Sequence, residues 1–293
     1  MKRYLNILSM VVLTVTVGFS SASCSSEEDN EDNAMYGKTP LKINVTGVNT
    51  TKAFFEGTML PDECKYYISL FNNNSSIAHD VCYLPVNYTK GESTLTEPIY
   101  ITDNGKITAV YCDSEINRNN NTSFPINTDA QQDILVAHSS VTPEYPEVSL
   151  TFKHIMARVV LRITKSAENN RTYEFGNAEV GGLYSGYYLL YDDKVINERT
   201  TSLEVSTKGN KVLSKENDVI EYEFLTTPQS SYDIIITVSG TLYVSLRLPK
   251  NTLYGGNRYV FNAVIKGSNL EIQSVSVEPW SQETHDMEID LNK

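Results

Sequence analysis

The 293-residue chain has few of the residues that build metal and catalytic centres. It contains four cysteines and four histidines, and none of them falls in a C-x-x-C, Cys/His or H-E-x-x-H spacing. The sequence therefore gives no support for a zinc site. It also lacks the G-x-S-x-G, P-loop and dinucleotide-binding patterns. We expect a protein without catalysis, metal or other cofactor.

Basic residues are scarce as well. The chain has 24 Lys and Arg against 36 Asp and Glu, which gives a net charge of -12. This charge argues against nucleic acid as a partner, because the phosphate backbone attracts basic surfaces. Stretches with a helical period are also rare, whereas 19 tyrosines accompany abundant Val, Ile and Thr. These residues favour strands, so the predicted fold is all-β.

No apolar run is long enough for a confident membrane span. The stretch Tyr4 to Phe19 is short, is interrupted by polar residues and follows Lys2 and Arg3, which is typical of an export signal. The residues before Cys24 (Ser21-Ala22-Ser23) resemble the lipobox of bacterial lipoproteins. This resemblance implies a signal peptide over residues 1–23 and acylation, such as palmitoylation, at Cys24. Ordinary secretory cleavage, which leaves Cys24 as a thiol, is the alternative.

An acidic stretch follows the cysteine. Residues 25–33 read SSEEDNEDN, so residues 24–39 are predicted to be a disordered, solvated tether. The stretch also resembles the export tags of surface lipoproteins in the Bacteroidia. We therefore expect the protein on the outer membrane, exposed at the surface and held by its lipid.

From Leu41 onward, short runs of alternating apolar residues are separated by turn residues. Glu97 to Cys112 is predicted to be a hairpin, with Asn104-Gly105 in a type I′ turn. Two further runs, Val219 to Leu225 and Leu242 to Leu248, are predicted to be half-buried strands. All these runs favour antiparallel sheets.

The apolar phase changes between Glu147 and Lys165. Apolar residues occupy even positions before Lys153 and odd positions after His154, so we expect a bulge or break there. A helix that starts at His154 is the rival interpretation. The polar turn at residues 166–171 then divides the chain into two parts with enough strands for a sandwich each. The predicted domains are residues 40–167 and 168–293.

The order of these landmarks resembles the fimbrillin-like family, the subunits of type V pili in the Bacteroidia. The matching segments in order are TKA (51–53), ITAVYC (107–112), DILVA (133–137), LTFKHIMARVV (150–160), a Gly-Gly-x-x-Tyr turn (255–259) and VSVEPW (275–280). They cover nearly all of the chain that follows the tether.

The resemblance implies two tandem antiparallel β-sandwich domains of transthyretin-like type. It also implies a lipoprotein that becomes a structural or accessory subunit of an adhesive pilus, a homo- or heteropolymer with other subunits. In this family a protease removes an N-terminal segment, and the C-terminal strand of another subunit fills the opened groove. Such an exchange satisfies both the backbone and the apolar slot of an incomplete sandwich.

The resemblance also points to the residues that take part. Members that are cut usually offer an arginine, but no Arg occurs between Arg3 and Arg118, so Lys52 in the TKA position and Lys38 are the candidate cleavage sites. The candidate donor strand near the C-terminus alternates apolar and acidic residues, with His285, Met287, Ile289 and Leu291 on its apolar face. The alternative is that this segment is the last strand of the chain's own sheet.

Two questions stay open at this point. The chain is also compatible with a solitary surface lipoprotein that binds a glycan or another extracellular ligand on a host or bacterial surface. Its Asn-rich stretches at 72–76 and 117–122 are candidate exposed loops. In addition, Cys64, Cys82 and Cys112 are compatible with one disulfide or with three thiols.

Overall fold

The computed structural model describes residues 39–49, 59–72, 81–112, 122–279 and 287–288. These residues form β-strands, loops and two short 3₁₀ turns, at Thr128–Ala130 and Ser231–Asp233. The predicted all-β fold is confirmed. Within the described ranges, no helix has the length and hydropathy that a membrane span requires.

The first half of the chain forms a seven-stranded sheet with the order β1-β8-β7-β5-β2-β3-β4. The strands of this half are β1 (Lys42–Asn49), β2 (Cys64–Asn72), β3 (Leu84–Thr89), β4 (Glu92–Leu95), β5 (Gly105–Cys112), β6 (Ser123–Ile126), β7 (Ile134–Val141), β8 (Glu147–His154) and β9 (Ala157–Lys165). Most neighbours are antiparallel, whereas β1 and β8 run parallel.

The second half contributes β10 (Tyr173–Leu189), β11 (Lys194–Val205), β12 (Thr207–Lys208), β13 (Val212–Leu213), β14 (Ile220–Thr226), β15 (Gln229–Ser230), β16 (Ile235–Gly240), β17 (Val244–Arg247), β18 (Thr252–Leu253), β19 (Asn257–Lys266), β20 (Asn269–Pro279) and β21 (Met287–Glu288). One six-stranded sheet has the order β11-β10-β16-β17, with β13 and β6 also paired to β10. The other has the order β12-β14-β9-β19-β20-β21, and β15 pairs with β18.

Alternation of side chains explains where the cores lie. In β8, Val148, Leu150 and Phe152 are buried, while the residues between them are exposed. They pack with Tyr66, whose ring contacts Phe152 edge to face at 5.5 Å between centroids. The seven-stranded sheet therefore encloses a core of its own.

The two six-stranded sheets enclose a second core. Val159 and Leu161 of β9 and Phe261 of β19 lie on one side of it, and Val180 of β10 and Ile236 of β16 lie on the other. All five side chains are completely buried. The two sheets thus pack face to face as a sandwich.

A third apolar cluster joins the two halves. It contains Val136 from the seven-stranded sheet and Tyr188 and Leu190 from the end of β10. Strand β6 also pairs with β10, and β9 lies in a sheet of the second half, before the boundary expected at residue 167. The described residues cluster as one compact unit. The division into residues 40–167 and 168–293 therefore stays a prediction.

The hairpin predicted for Glu97 to Cys112 is wrong. Gly105 does not lie in a turn: it begins β5, which pairs with β2 and β7. A Cβ atom at Gly105 would lie 2.6 Å from the backbone oxygen of Phe71, so glycine is required there for close approach to β2. Of the residues before it, Tyr100 makes a single bridge, to Pro40.

The other strand predictions are confirmed. β14 overlaps the first of the two runs predicted to be half-buried strands, and β17 falls within the second. The phase change after Lys153 corresponds to a break at Ile155 and Met156, where the chain leaves β8 and enters β9 in a different sheet. The rival helix at His154 is excluded, because β8 ends at that residue and β9 begins at Ala157.

Candidate strand-exchange site

Strand β1 forms one edge of the seven-stranded sheet. It pairs in parallel with β8, from Lys42 opposite Glu147 to Asn49 opposite Lys153. Its buried apolar side chains belong to Ile43, Val45 and Val48, and Leu41, the residue before the strand, is buried with them. Each of the four is at most 7% exposed. The register shifts between Val45 and Gly47, and this shift keeps Val48 on the core face. β1 therefore completes the core of the first half.

Hydrogen bonds fix the start of β1. The backbone N–H of Leu41 donates to the oxygen of Ile99 at 2.7 Å, and that of Lys42 donates to the oxygen of Pro146 at 3.0 Å. On the solvent side, the Asn44 amide donates to Glu147 Oε1 at 2.7 Å. Exposed hydrogen bonds of this kind add little stability, so β1 is held mainly by its apolar side chains and its backbone ladder.

β8 depends on β1 for most of its pairing. It meets β7 only at two register pairs near its end, His154 with Leu135 and Lys153 with Val136. From Glu147 to Phe152, β1 is the strand that pairs with β8 in the described part of the chain. Loss of β1 would therefore leave the backbone of β8 from Glu147 to Phe152 without a ladder and expose the apolar core beneath it.

The two candidate cleavage sites flank this strand. Lys38 precedes β1, and Lys52 follows its last residue, Asn49, by three positions. Both lysines lie outside the described residues. A cut after Lys38 would leave β1 attached to the rest of the chain, whereas a cut after Lys52 would separate β1 from it.

A chain of polar groups lies beside the end of β8. The Lys153 ammonium is 2.5 Å from Asp193 Oδ2, and the Tyr188 hydroxyl donates to Asp193 Oδ1 at 2.7 Å. His138 Nε2 is 2.7 Å from the same hydroxyl, and His138 Nδ1 is 3.0 Å from Thr108 Oγ1. These contacts join β5, β7 and β8 of the first half to β10 of the second.

The protonation states follow from this arrangement. Burial raises the pKa of Tyr188, so its hydroxyl keeps its proton. For Asp193, burial alone raises the pKa, but the hydrogen bonds from Lys153 and Tyr188 outweigh burial and hold the pKa below its ordinary value. Burial, aided by the charge of Lys106, lowers the pKa of His138 to about 4. His138 is therefore neutral at pH 7 and donates from Nε2 to Tyr188.

The other histidine and cysteine residues that the structure describes show no arrangement typical of a catalytic or metal site. The His154 ring is buried, with Nδ1 at 2.9 Å and 2.8 Å from the two oxygens of Asp133. No group of three or more metal-ligating side chains occurs among the described residues. Cys64, Cys82 and Cys112, all within the described ranges, form no disulfide.

At the C-terminal end, part of the candidate donor strand is described. Met287 and Glu288 form β21, which pairs antiparallel with Val277 and Ser276 of β20. The backbone at Met287 thus lies in the chain's own sheet. The other residues predicted for this function, Cys24, His285, Ile289 and Leu291, lie outside the described residues.

Comparison with known proteins decides the family. A family model described as fimbrillin-like matches residues 40–280, a range that extends from just before β1 to just after β20. The chain belongs to the fimbrillin-like family. The resemblance noted in the sequence is thereby confirmed. A search of curated proteins finds no match.

Solved structures show the same fold for this fimbrillin-like chain. A candidate cell adhesion protein from Bacteroides uniformis is 15% identical, with a TM-score of 0.59, covering 83% of this chain and 97% of its own. A second, from Bacteroides ovatus, is 14% identical, with a TM-score of 0.57 and coverage of 84% and 99%. A fimbrial protein from Bacteroides vulgatus is 10% identical, with a TM-score of 0.52 and coverage of 83% and 99%.

Sequence reasoning did not single out β1 as the strand that completes the core. One signal was present, since Leu41, Ile43 and Val45 alternate immediately before the TKA segment. Its partner β8 lies about a hundred residues further along the chain, so the pairing left no local pattern. The polar chain around Tyr188 was missed for the same reason, because it joins four separate strands.

Proposed function

We propose that the chain is a non-catalytic, surface-exposed lipoprotein and a structural or accessory subunit of an adhesive pilus, assembled by strand exchange. The observation that carries this proposal is the position of β1. It is an edge strand, it fills the core through three apolar side chains, and it lies between the two candidate cleavage sites. The fimbrillin-like family and the fimbrial and adhesion proteins that share the fold support it.

If β1 is removed, filling its groove with a strand from another subunit is energetically favoured over leaving the groove empty. Full burial of one Val, Leu or Ile side chain stabilises a protein by about 1.5–3 kcal/mol. Leu41 and β1 together bury four such side chains, and β1 also supplies the ladder of β8 from Glu147 to Phe152. An open groove would therefore bind a strand from another subunit strongly, provided that this strand offers apolar residues at alternate positions.

The C-terminal segment is the proposed donor. Apolar side chains recur at every second position from His285 to Leu291. In the uncut chain the backbone at Met287 pairs with β20, an arrangement that leaves only two residues of this segment in the described sheet. A pairing of two residues is short enough to be given up when the groove of a neighbouring subunit opens.

Cleavage after Lys52 would also remove the proposed anchor. The acylated Cys24, the acidic tether and β1 all lie on the N-terminal side of Lys52. One cut would therefore release the subunit from the outer membrane and open its groove together. A cut after Lys38 would release the subunit but leave the groove closed, so Lys52 is the proposed activating site.

The proposal is tested by comparing two matched variants, Lys52→Ala and Lys38→Ala, in cells that export the protein. Surface material is run on denaturing gels with and without boiling. We expect a heat-labile ladder from the wild type and from Lys38→Ala, and a single band from Lys52→Ala.

A single band from the wild type, with both variants identical to it, would contradict the strand-exchange assembly. That outcome would favour a solitary surface lipoprotein that binds an extracellular ligand. A ladder from Lys52→Ala would show instead that assembly does not require this cleavage site.

A further inference from the structure

Two arginines lie side by side on the outer face of the second sandwich. Arg158 of β9 and Arg258 of β19 are register partners in a parallel pair. The residues that follow them, Val159 and Tyr259, face the core, so both arginines project from the opposite face of the sheet. Neighbouring strands are about 4.8 Å apart, and this spacing brings the two guanidinium groups into one region.

Acidic residues flank this pair on both sides. Glu223 Oε1 accepts from Arg158 Nε at 2.7 Å and lies 2.6 Å from its Nη2, while Glu223 Oε2 accepts from Lys208 at 2.9 Å. On the other side, Arg258 Nη1 donates to Glu278 Oε2 at 2.5 Å. Five charged residues thus form a row across the sheet, in the order Lys208, Glu223, Arg158, Arg258 and Glu278. Positive and negative charges alternate along this row except at the two arginines, which are neighbours.

Each arginine has one buried nitrogen that finds no hydrogen-bond partner in the part of the chain that the structure describes. These atoms are Nη1 of Arg158 and Nε of Arg258. The Arg158 side chain is 4% exposed and that of Arg258 is 16% exposed. A buried donor on a charged group is costly when it is not satisfied, and two like charges on neighbouring strands repel each other. Both costs arise at the same place.

We propose that Arg158 and Arg258 together bind one carboxylate group. A carboxylate has two oxygens, and each can accept from one of the two unpartnered nitrogens. It carries a single negative charge, and the row has three cations against two anions, so one carboxylate restores both the alternation and neutrality. Glu223 and Glu278 do not fill this position, because each already bonds other nitrogens of the two arginines.

Two sources could supply this carboxylate. One is a small carboxylate in solution. The other is an acidic side chain from residues 280–293, which contain Glu283, Asp286, Glu288 and Asp290. Of these residues, Glu288 lies in β21, whose backbone pairs with β20, the strand that carries Glu278. The proposal concerns the shared chemistry and does not depend on strand exchange.

The first arm of the test adds acetate as the probe to the purified full chain at constant ionic strength and pH 7. If the site takes a small carboxylate from solution, the midpoint of thermal unfolding of the wild type should show a saturable rise of roughly 2–4 °C. Arg258→Gln should lose this rise. The matched control is Arg162→Gln, because Arg162 lies on β9, is 38% exposed and pairs with Glu221. This control should keep the response to acetate.

The second arm tests the chain's own acidic residues. Each is changed to its amide, alone and combined with Arg258→Gln. If one of them occupies the site, its effect on the unfolding midpoint should vanish in the Arg258→Gln background, and acetate should restore the midpoint of the single amide variant. Acetate should then shift the wild type little. The proposal is overturned if acetate acts alike on the wild type and Arg258→Gln, or on neither, while all four pairs of changes are additive.

Discussion

The hydroxyl of Tyr188 donates to Asp193 Oδ1 at 2.7 Å and so links the end of β10 to the carboxylate that binds Lys153 of β8. Tyr188 is 1% exposed, and its ring also packs in the apolar cluster that joins the two halves. The same hydroxyl accepts from His138. One side chain thus combines apolar and polar contacts between the halves of the molecule.

Tyr188→Phe should lower the free energy of unfolding by about 1–3 kcal/mol, because it keeps the ring but leaves Asp193 and His138 without their shared partner. Urea denaturation at pH 7 checks this value. The control is Tyr187→Phe, at a residue that is 37% exposed on the same strand, which should change stability by less than about 0.5 kcal/mol. Equal effects of the two changes would contradict the importance of this hydroxyl.

His138 should make the protein less stable as the pH falls from about 6.5 to about 4. Its pKa in the folded protein is about 4, below its ordinary value of 6.5, so within this window the unfolded chain binds the proton and the folded chain does not. The contribution is full above this window and is lost on acidification, by about 3 kcal/mol in total. His138→Gln should flatten the stability profile there, and Ser140→Asn, at an exposed position of the same strand, should not. A profile that His138→Gln leaves unchanged would argue against this assignment.

Ile43→Ala should destabilise the uncut protein by about 2–4 kcal/mol, since it removes a buried side chain of β1 and leaves a cavity in the first core. The neighbouring change Asn44→Ala affects an exposed residue and should cost less than about 0.5 kcal/mol. Both are measured by urea denaturation. Similar small effects would mean that β1 contributes little to the core.

Gly186→Ala should destabilise the protein by at least about 2 kcal/mol. A Cβ atom at Gly186 would lie 1.9 Å from the backbone oxygen of Ile196, which cannot move without breaking the pairing of β10 with β11. At Gly181 on the same strand, the nearest atom would lie at 4.0 Å, so Gly181→Ala should be nearly neutral. Thermal unfolding of both variants measures the difference in stability between them. Equal stability of the two variants would show that β11 shifts to make room for the added Cβ atom.

The sequence was informative where the pattern is local. Alternation predicted β14 and β17, and the phase change after Lys153 predicted the break between β8 and β9. The prediction of a hairpin at Asn104-Gly105 was wrong because a glycine can mark either a tight turn or a close approach of two strands, and the sequence does not distinguish them. At Gly105 it permits close approach to Phe71 of β2, a strand about thirty residues earlier, and not a tight turn.

The site could be predicted only in part for a related reason. The motif around Lys52 pointed to the segment that we propose is removed, but the dependence of β8 on β1 arises from a pairing between distant residues. The row of charged residues Lys208, Glu223, Arg158, Arg258 and Glu278 likewise joins five strands, and no two of its members are closer than 15 residues in the sequence. Lipidation at Cys24, cleavage at Lys52 or Lys38, and donation by His285, Met287, Ile289 and Leu291 stay predictions.

The central claim is that β1 leaves the subunit before assembly, and the N-terminal sequence of subunits in the heat-labile polymer tests it most directly. Cleavage after Lys52 predicts that these subunits begin at Ala53 and lack residues 24–52. Subunits in the polymer that begin at an acylated Cys24, or at Thr39, would retain β1 and contradict the account.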